Sequence, residues 1–109
     1  MNKYHAKKTE IDGLVFDSKK EAEYYSLLKM QERMGRISGL KLQYRYQIIN
    51  SAIDHKGKKL PPIYYIADFV YWDSDAKLHV VDVKGFKTPV YKLKKRLMLE
   101  LYDIDIEEV

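Results

Sequence analysis

The spacing of apolar and polar positions predicts a helix in the first third of the chain. Between residues 24 and 34, apolar side chains recur every three or four positions, as in an amphipathic helix. Ser18 and Glu21 have the three-residue spacing of a capping box, so the helix is predicted to begin after Ser18. It is predicted to end at Gly35 or Gly39, because glycine favours the left-handed conformation that terminates helices.

Three further segments have the pattern of β-strands. Residues 40–49 alternate between apolar and polar side chains, and residues 63–72 and 78–84 are short apolar runs bounded by turn residues. Two short extended pieces flank the Asp-Gly pair at 12–13, which is a strong hairpin signal. Residues 104–107 also alternate, and they are predicted to add an edge strand.

A second helix is predicted from Thr88 to Tyr102, because Thr88 followed by Pro89 is a favourable helix start. The elements then follow the order α-β-β-β-α-β after a short N-terminal hairpin. This order predicts an α/β fold in which a mixed central sheet is flanked by two helices. A length of 109 residues without internal repeats predicts one domain over residues 1–109.

Composition narrows the classes of function. The chain has 20 Lys+Arg and 16 Asp+Glu, and the resulting formal charge of +4 only mildly favours an anionic partner. It contains no cysteine, which excludes a disulfide scaffold, a thiolate zinc site and a cysteine nucleophile. No apolar stretch approaches the roughly 20 residues of a membrane helix, and no signal-peptide pattern opens the chain. We therefore expect a cytoplasmic protein with no membrane partner.

Charged residues inside the predicted strands are the most informative feature. Asp68 lies in the second strand, while Asp82 and Lys84 lie in the third and share a face because strand side chains alternate. If these strands form a hairpin, two carboxylates and an ammonium converge on a largely apolar sheet. Such charges are costly unless they are paired or bind a cation, and hard oxygen ligands suit Mg²⁺ or Mn²⁺. The alternative is an ordinary ion pair between Asp82 and Lys84.

Glu21 has two interpretations. It is the capping-box partner of Ser18, and helical geometry also places it near the border of the apolar stripe that faces the sheet. Its neighbour Glu23 lies farther from that stripe and is predicted to be solvated. The sequence therefore leaves open whether Glu21 belongs to a metal site or only caps the helix.

A helix glutamate, a strand aspartate, an Asp-x-Lys motif and a basic helix, in that order, resemble the PD-(D/E)xK nuclease superfamily. Within it, the chain resembles small phage and prophage endonucleases that are similar to Holliday-junction resolvases. The similarity lies in residues 16–22 (FDSKKEA), 65–69 (YIADF) and 81–88 (VDVKGFKT), which with their spacing cover most of the chain. Ala67 replaces the proline of the motif, and Asp82 stands where many members have glutamate. The resemblance implies a restriction-endonuclease-like fold.

The resemblance also implies a Mg²⁺ site in which Mn²⁺ substitutes. Asp68 and Asp82 would be metal ligands, the main-chain carbonyl of Val83 a further ligand, and Glu21 would complete the inner or outer shell. Lys84 would orient or help deprotonate the attacking water, or act through its charge alone. The predicted catalytic residues are thus Glu21, Asp68, Asp82 and Lys84, with one or two metal ions.

Basic residues gather directly after the Asp-x-Lys motif. Residues 84–96 contain six Lys or Arg and no acidic residue, and the acids that follow form a separate C-terminal tail. A second basic group lies near Glu21. The alternative for each lysine is a solvated helix face. The predicted DNA contacts are Lys19, Lys20, Lys87, Thr88, Tyr91, Lys92 and Lys95.

Together these features predict a metal-dependent DNA endonuclease that hydrolyses phosphodiester bonds. The resemblance implies a structure-selective enzyme acting on branched DNA, such as a Holliday junction, in phage recombination or replication inside the host cell. A homodimer is expected, because a four-way junction needs two symmetric cuts. The alternatives are a noncatalytic DNA-binding module on the same fold and a nuclease subunit of a restriction- or transposition-type complex.

Overall fold

The computed structural model describes residues 8–83 and 86–109. The predicted site residue Lys84 lies outside the described residues, as does Gly85. The described elements follow in chain order: β1 (Thr9–Ile11), β2 (Leu14–Phe16), α1 (Lys19–Arg33), β3 (Ile37–Ile49), β4 (Ala52–Ile53), β5 (Lys59–Leu60), β6 (Ile63–Asp73), β7 (Leu78–Asp82), α2 (Pro89–Tyr102) and β8 (Glu107–Glu108).

The main sheet has four strands in the order β3-β6-β7-β8. β6 and β7 are neighbours joined by only residues 74–77, so they form an antiparallel hairpin, since a parallel pair needs a crossover of about a dozen residues. β7 and β8 pair in parallel, and the crossover between them contains α2. The predicted α/β fold with a mixed sheet and two helices is therefore confirmed, whereas its restriction-endonuclease-like character stays a prediction.

Several element boundaries differ from the predicted ones. The third strand of the prediction, β7, ends at Asp82 and not at residue 84, and β3 begins three residues earlier than predicted, at Ile37. The tail strand is β8, two residues long, and it begins only at Glu107. β4 and β5 form a small antiparallel hairpin that the sequence pattern did not predict. Neither described helix is long and apolar enough to cross a membrane.

The chain divides into two compact units, and each is described by itself. The first contains the described residues up to Leu40 together with Tyr71–Leu78, and the second contains Lys41–Val70 and His79–Val109. The single domain expected from chain length stays a prediction.

The first unit contains the N-terminal hairpin and α1. The predicted turn has positive φ at both Asp12 (53°) and Gly13 (77°), the pattern of a type I′ turn that matches strand twist. The amide of Glu21 donates to the Ser18 side chain at 3.1 Å, which confirms the predicted helix cap. The buried side chains of α1 are Ala22, Tyr25 and Leu28.

The second unit contains the most deeply buried residues of β6, β7 and α2. Tyr65, Ala67 and Phe69 alternate into the core, as expected of a strand with one covered face. β7 is buried at three consecutive positions, 80–82, because a strand in the interior of a mixed sheet is covered on both faces. On α2, the side chain of Met98 has 0% exposure. This unit carries both aspartates of the predicted metal site.

Replacing Met98 with alanine is expected to lower the free energy of unfolding by about 2–5 kcal/mol, because it removes buried apolar surface and leaves a cavity. Leu99→Ala, on the same helix but at a side chain that is 44% exposed, is the control and should cost less than half as much. Urea unfolding followed by circular dichroism measures both. Equal effects of the two substitutions would contradict the packing of α2 described above.

Candidate functional site

Asp82, the last residue of β7, is the only buried charged residue in the described part of the chain, with 3% of its surface exposed. The hydroxyl of Tyr65 donates to its Oδ2 atom at 2.7 Å. Its main-chain oxygen accepts the amide of Val109 at 3.1 Å. A buried carboxylate is strongly destabilising unless polar partners replace the lost water, and the tyrosine hydroxyl is such a partner.

Asp68 is half-buried on β6, and protein donors contact both of its carboxylate oxygens. The main-chain amide of Val83 donates to Oδ2 at 2.8 Å, and the side-chain amide of Gln43 donates to Oδ1 at 3.2 Å. The carboxylate of Asp68 therefore lies against the end of β7, next to the residue that follows Asp82. The pairing of β6 with β7 brings these two segments side by side.

Both aspartates affect the same two phenols. Burial is the main cause that raises the pKa of Tyr65, and its hydrogen bond to Asp82 and the negative charge of Asp68 raise that pKa further. Burial also raises the pKa of Tyr91, with contributions from Glu108, Asp82 and Asp68. Each phenol donates its hydroxyl hydrogen to a carboxylate, Tyr65 to Asp82 and Tyr91 to Glu108.

A cleft of about 260 Å³ opens beside Asp82. Lys94 is one of its lining residues, and its Nζ atom donates to the main-chain oxygen of Tyr64 at 2.9 Å. The cleft therefore offers a carboxylate, a hydroxyl and an ammonium group to a small polar ligand. Its lining residues are Tyr65, Ile66, Asp82, Thr88, Val90, Tyr91 and Lys94.

The donor set fits a hard cation better than a soft one. Mg²⁺ keeps several waters and binds proteins through one or two carboxylates, whereas structural Zn²⁺ uses Cys and His. Asp68 and Asp82 supply two carboxylates, and hydrogen bonds from Val83 and Tyr65 orient them, as outer-shell donors orient metal ligands. Among residues 8–83 and 86–109, no group of three or more His, Cys, Asp or Glu side chains converges as a metal site. A cation here would thus rely on these two aspartates and on water.

The structure does not test the metal-binding role predicted for Glu21 and for the main-chain carbonyl of Val83. Glu21 lies on α1 in the first unit, half-buried, and its amide takes part in the cap of that helix. Glu23 is exposed, as predicted, with its carboxylate 3.9 Å from Lys19. A metal-binding role of Glu21 and of the Val83 carbonyl, like the role of Lys84, stays a prediction.

Three of the predicted DNA-binding side chains meet at one carboxylate, that of Glu108 on β8. Lys87 and Lys95 place their Nζ atoms 3.0 and 3.3 Å from Glu108 Oε1, and the hydroxyl of Tyr91 donates to Oε2 at 2.7 Å. The basic segment and the acidic tail, which are separate in the sequence, therefore meet in space at this position. Parallel pairing places Glu108 opposite Asp82 and brings the tail back to the basic helix.

The other predicted DNA-binding residues lie on helix surfaces. Lys19 and Lys20 are exposed in the first turn of α1, and Lys92 is exposed on α2. The side chain of Thr88 accepts the amide of Tyr91 at 3.1 Å and so caps α2, as predicted. The contacts of all these residues with DNA stay predictions.

Sequence reasoning missed three residues of this site: Tyr65, Gln43 and Glu108. Tyr65 stands three positions before Asp68 in an apolar strand, where tyrosine is ordinary core. Glu108 is two residues from the end of the sequence, and only the β7–β8 pairing gives it its neighbours. The one available signal was that a buried aspartate requires a hydrogen-bond donor, which could have directed the search to hydroxyl-bearing residues such as Tyr65.

Comparison with known proteins gives one match. A family model described as "Protein of unknown function (DUF1064)" matches residues 1–107. No significant match was found among curated proteins or among solved structures.

Replacing Tyr65 with phenylalanine is expected to lower the free energy of unfolding by about 1–3 kcal/mol, because it leaves the buried Asp82 carboxylate without this donor. Tyr64→Phe, at the neighbouring and half-buried tyrosine, removes the same atom elsewhere and is the control. Chemical unfolding at pH 7 compares the two. A Tyr65→Phe protein as stable as the Tyr64→Phe protein would contradict the importance of this hydrogen bond.

Glu108 provides a test of pH dependence. Hydrogen bonds from Tyr91 and the two lysines lower its pKa from 4.5 to about 2, so its contribution to stability is complete above about pH 5 and is lost as the pH falls towards 2. Glu108→Gln is expected to cost roughly 1–3 kcal/mol at pH 7 and to flatten the loss of stability between pH 5 and 2.

The control for this substitution is Glu100→Gln, which alters an exposed pair with Arg96. Its unfolding free energy should follow that of the original protein over the whole pH range. An unchanged acid dependence of the Glu108→Gln protein would contradict the low pKa of this carboxyl.

Proposed function

The chain belongs to the DUF1064 family, and from this site we propose that it is a metal-dependent DNA endonuclease. One observation carries the proposal: Asp82 is buried and Asp68 half-buried on neighbouring strands, and protein donors orient both carboxylates. Taking carboxylates out of water costs free energy even where hydrogen-bond donors compensate in part, so their presence favours a functional role. The finer fold assignment, a restriction-endonuclease-like core, is part of the same proposal.

Phosphodiester hydrolysis explains why these groups are needed. A phosphodiester repels hydroxide through its own negative charge, and a bound Mg²⁺ ion supplies a more acidic water and neutralises charge on the phosphate oxygens. Asp68 and Asp82 would hold the cation, while Tyr65 and the Val83 amide keep the carboxylates oriented. Lys84, which follows in the sequence, would contribute positive charge next to the phosphate.

The noncatalytic alternative is less consistent with the site. Binding of a polyanion is favoured by cations on the protein surface and opposed by nearby carboxylates. Here Asp68 and Asp82 lie on neighbouring strands of the sheet, and Glu108 contacts two of the lysines that are proposed to bind DNA. A protein that only bound DNA would have no use for this acidic pair. A nuclease subunit of a larger complex would retain the acidic pair, because it would still need a catalytic metal ion.

The substrate part of the proposal is branched DNA, cut by a homodimer. It rests on the resemblance of the chain to small phage endonucleases and on the symmetry of a four-way junction, which requires two equivalent cuts. Lys92, which is exposed on the first turn of α2, would contact a phosphate that flanks the cleaved bond, and Lys19 and Lys20 on α1 are proposed as further contacts with the DNA.

The proposal is tested by incubating the protein with a labelled four-way junction, the matching duplex and a single strand, in Mg²⁺, Mn²⁺ or EDTA. We expect metal-dependent cleavage of the junction. Asp82→Asn should lower the rate by more than about a hundredfold, a larger effect than loss of an outer-shell partner, with DNA binding unchanged or tighter. Asp105→Asn, at an exposed aspartate of the same unit, is the matched control and should retain activity.

Each alternative outcome has a definite meaning. Binding to DNA without cleavage in Mg²⁺ or Mn²⁺ would overturn the proposed endonuclease activity and support the noncatalytic DNA-binding module. Equal cleavage of the junction and the plain duplex would support the nuclease activity and contradict the preference for junctions. Cleavage by Asp82→Asn at a rate near that of the original protein would show that the acidic pair does not hold the catalytic metal.

A further inference from the structure

Gln43 has an unusual backbone conformation for its place in the fold. It lies inside β3, yet its φ angle is +51°, in the left-handed region that side chains other than Gly, Asn and Asp rarely adopt. The same strand contains Gly39 at φ +66°, where the absence of a Cβ atom removes the strain. Gln43 has no such relief, so its conformation must be held by other interactions.

The strained residue directs its side chain to the candidate site. The amide nitrogen Nε2 of Gln43 donates to Oδ1 of Asp68 at 3.2 Å. The other oxygen of the same carboxylate accepts the main-chain amide of Val83 at 2.8 Å. Donors from two different segments, β3 and the end of β7, thus fix the carboxylate about both of its oxygens.

Stability alone does not account for this arrangement. The Gln43 side chain is exposed, and a hydrogen bond between exposed polar groups replaces bonds that both groups make with water. Such a contact does not offset the strain of a left-handed residue within a strand. Backbone strain that serves a side-chain contact is typical of functional sites, where surrounding structure holds residues in conformations they would not otherwise adopt.

We propose that Gln43 is a positioning residue for the cation site: its amide orients the Asp68 carboxylate so that the aspartate binds a divalent cation. The inference rests on the proposed function, because it assumes that Asp68 is a metal ligand. Gln43 itself is not assigned contact with substrate or metal. A glutamine suits this role because its amide donates a hydrogen bond without adding charge that would compete for the cation.

Two variants separate positioning from stability. Gln43→Asn tolerates the left-handed backbone but is too short to keep the contact, and Gln43→Gly removes both the side chain and the strain. Gln47→Asn makes the same chemical change on the same strand, at a side chain that contacts Asn50, and is the control. Binding of Mn²⁺ alone, followed by the electron paramagnetic resonance signal of the free ion, and the melting temperature are measured for each protein.

We expect Mn²⁺ affinity to fall about 10–100-fold in both Gln43 variants, as for loss of an outer-shell partner. The melting temperature should be unchanged in Gln43→Asn and unchanged or higher in Gln43→Gly, and Gln47→Asn should behave as the original protein. A purely structural role predicts the reverse: a lower melting temperature with unchanged Mn²⁺ affinity of the folded protein, and that result would overturn the inference.

The same titration separates this inference from the proposed function. If the original protein binds Mn²⁺ and Asp68→Asn does not, the metal site is supported, and equal affinity of the Gln43 variants would then overturn the positioning role alone. If the original protein and Asp68→Asn both fail to bind Mn²⁺, the metal site itself is wrong, and the role of Gln43 fails with it.

Discussion

The hydrogen bond from Tyr65 to the buried carboxylate of Asp82 is the interaction on which the rest of this site depends. Removing a carboxylate from water is costly, and a chain retains one only when donors compensate for the lost solvent or when the charge performs a task. Here burial, together with the hydrogen bond to Asp82, holds the pKa of Tyr65 well above its ordinary value. The same strand end also supplies the Val83 amide to Asp68. The β6–β7 hairpin therefore supplies a hydrogen-bond donor to each of the two carboxylates.

β8, the strand that follows α2, brings a negative charge to the edge of the candidate site. β8 pairs in parallel with β7 and places Glu108 opposite Asp82, where its carboxylate joins Lys87, Lys95 and the Tyr91 hydroxyl. The basic surface that a phosphate would meet is thus partly neutralised from within the protein. A phosphate group would have to compete with this carboxylate for the two lysines.

Local signals made much of the fold predictable. Thr88 with Pro89 predicted the start of α2 and Ser18 with Glu21 predicted the start of α1, because capping depends on a few neighbouring residues. Long-range pairing was not predictable: the β7–β8 register that places Glu108 follows from tertiary structure. Gln43 was not predictable either, because its residue type gives no sign of a left-handed backbone. The sequence therefore predicted the two aspartates of the candidate site but not Tyr65 and Gln43, which donate hydrogen bonds to them.

We propose that Asp68 and Asp82 together bind a divalent cation. The most direct measurement is a crystal structure of the protein soaked in Mn²⁺, with anomalous diffraction data that locate the ion. A cation held by both aspartates predicts one or two anomalous peaks within bonding distance of a carboxylate oxygen of each aspartate, with water completing the coordination. Mn²⁺ found only at other acidic residues, or no peak at this pair under conditions that support DNA cleavage, would contradict it.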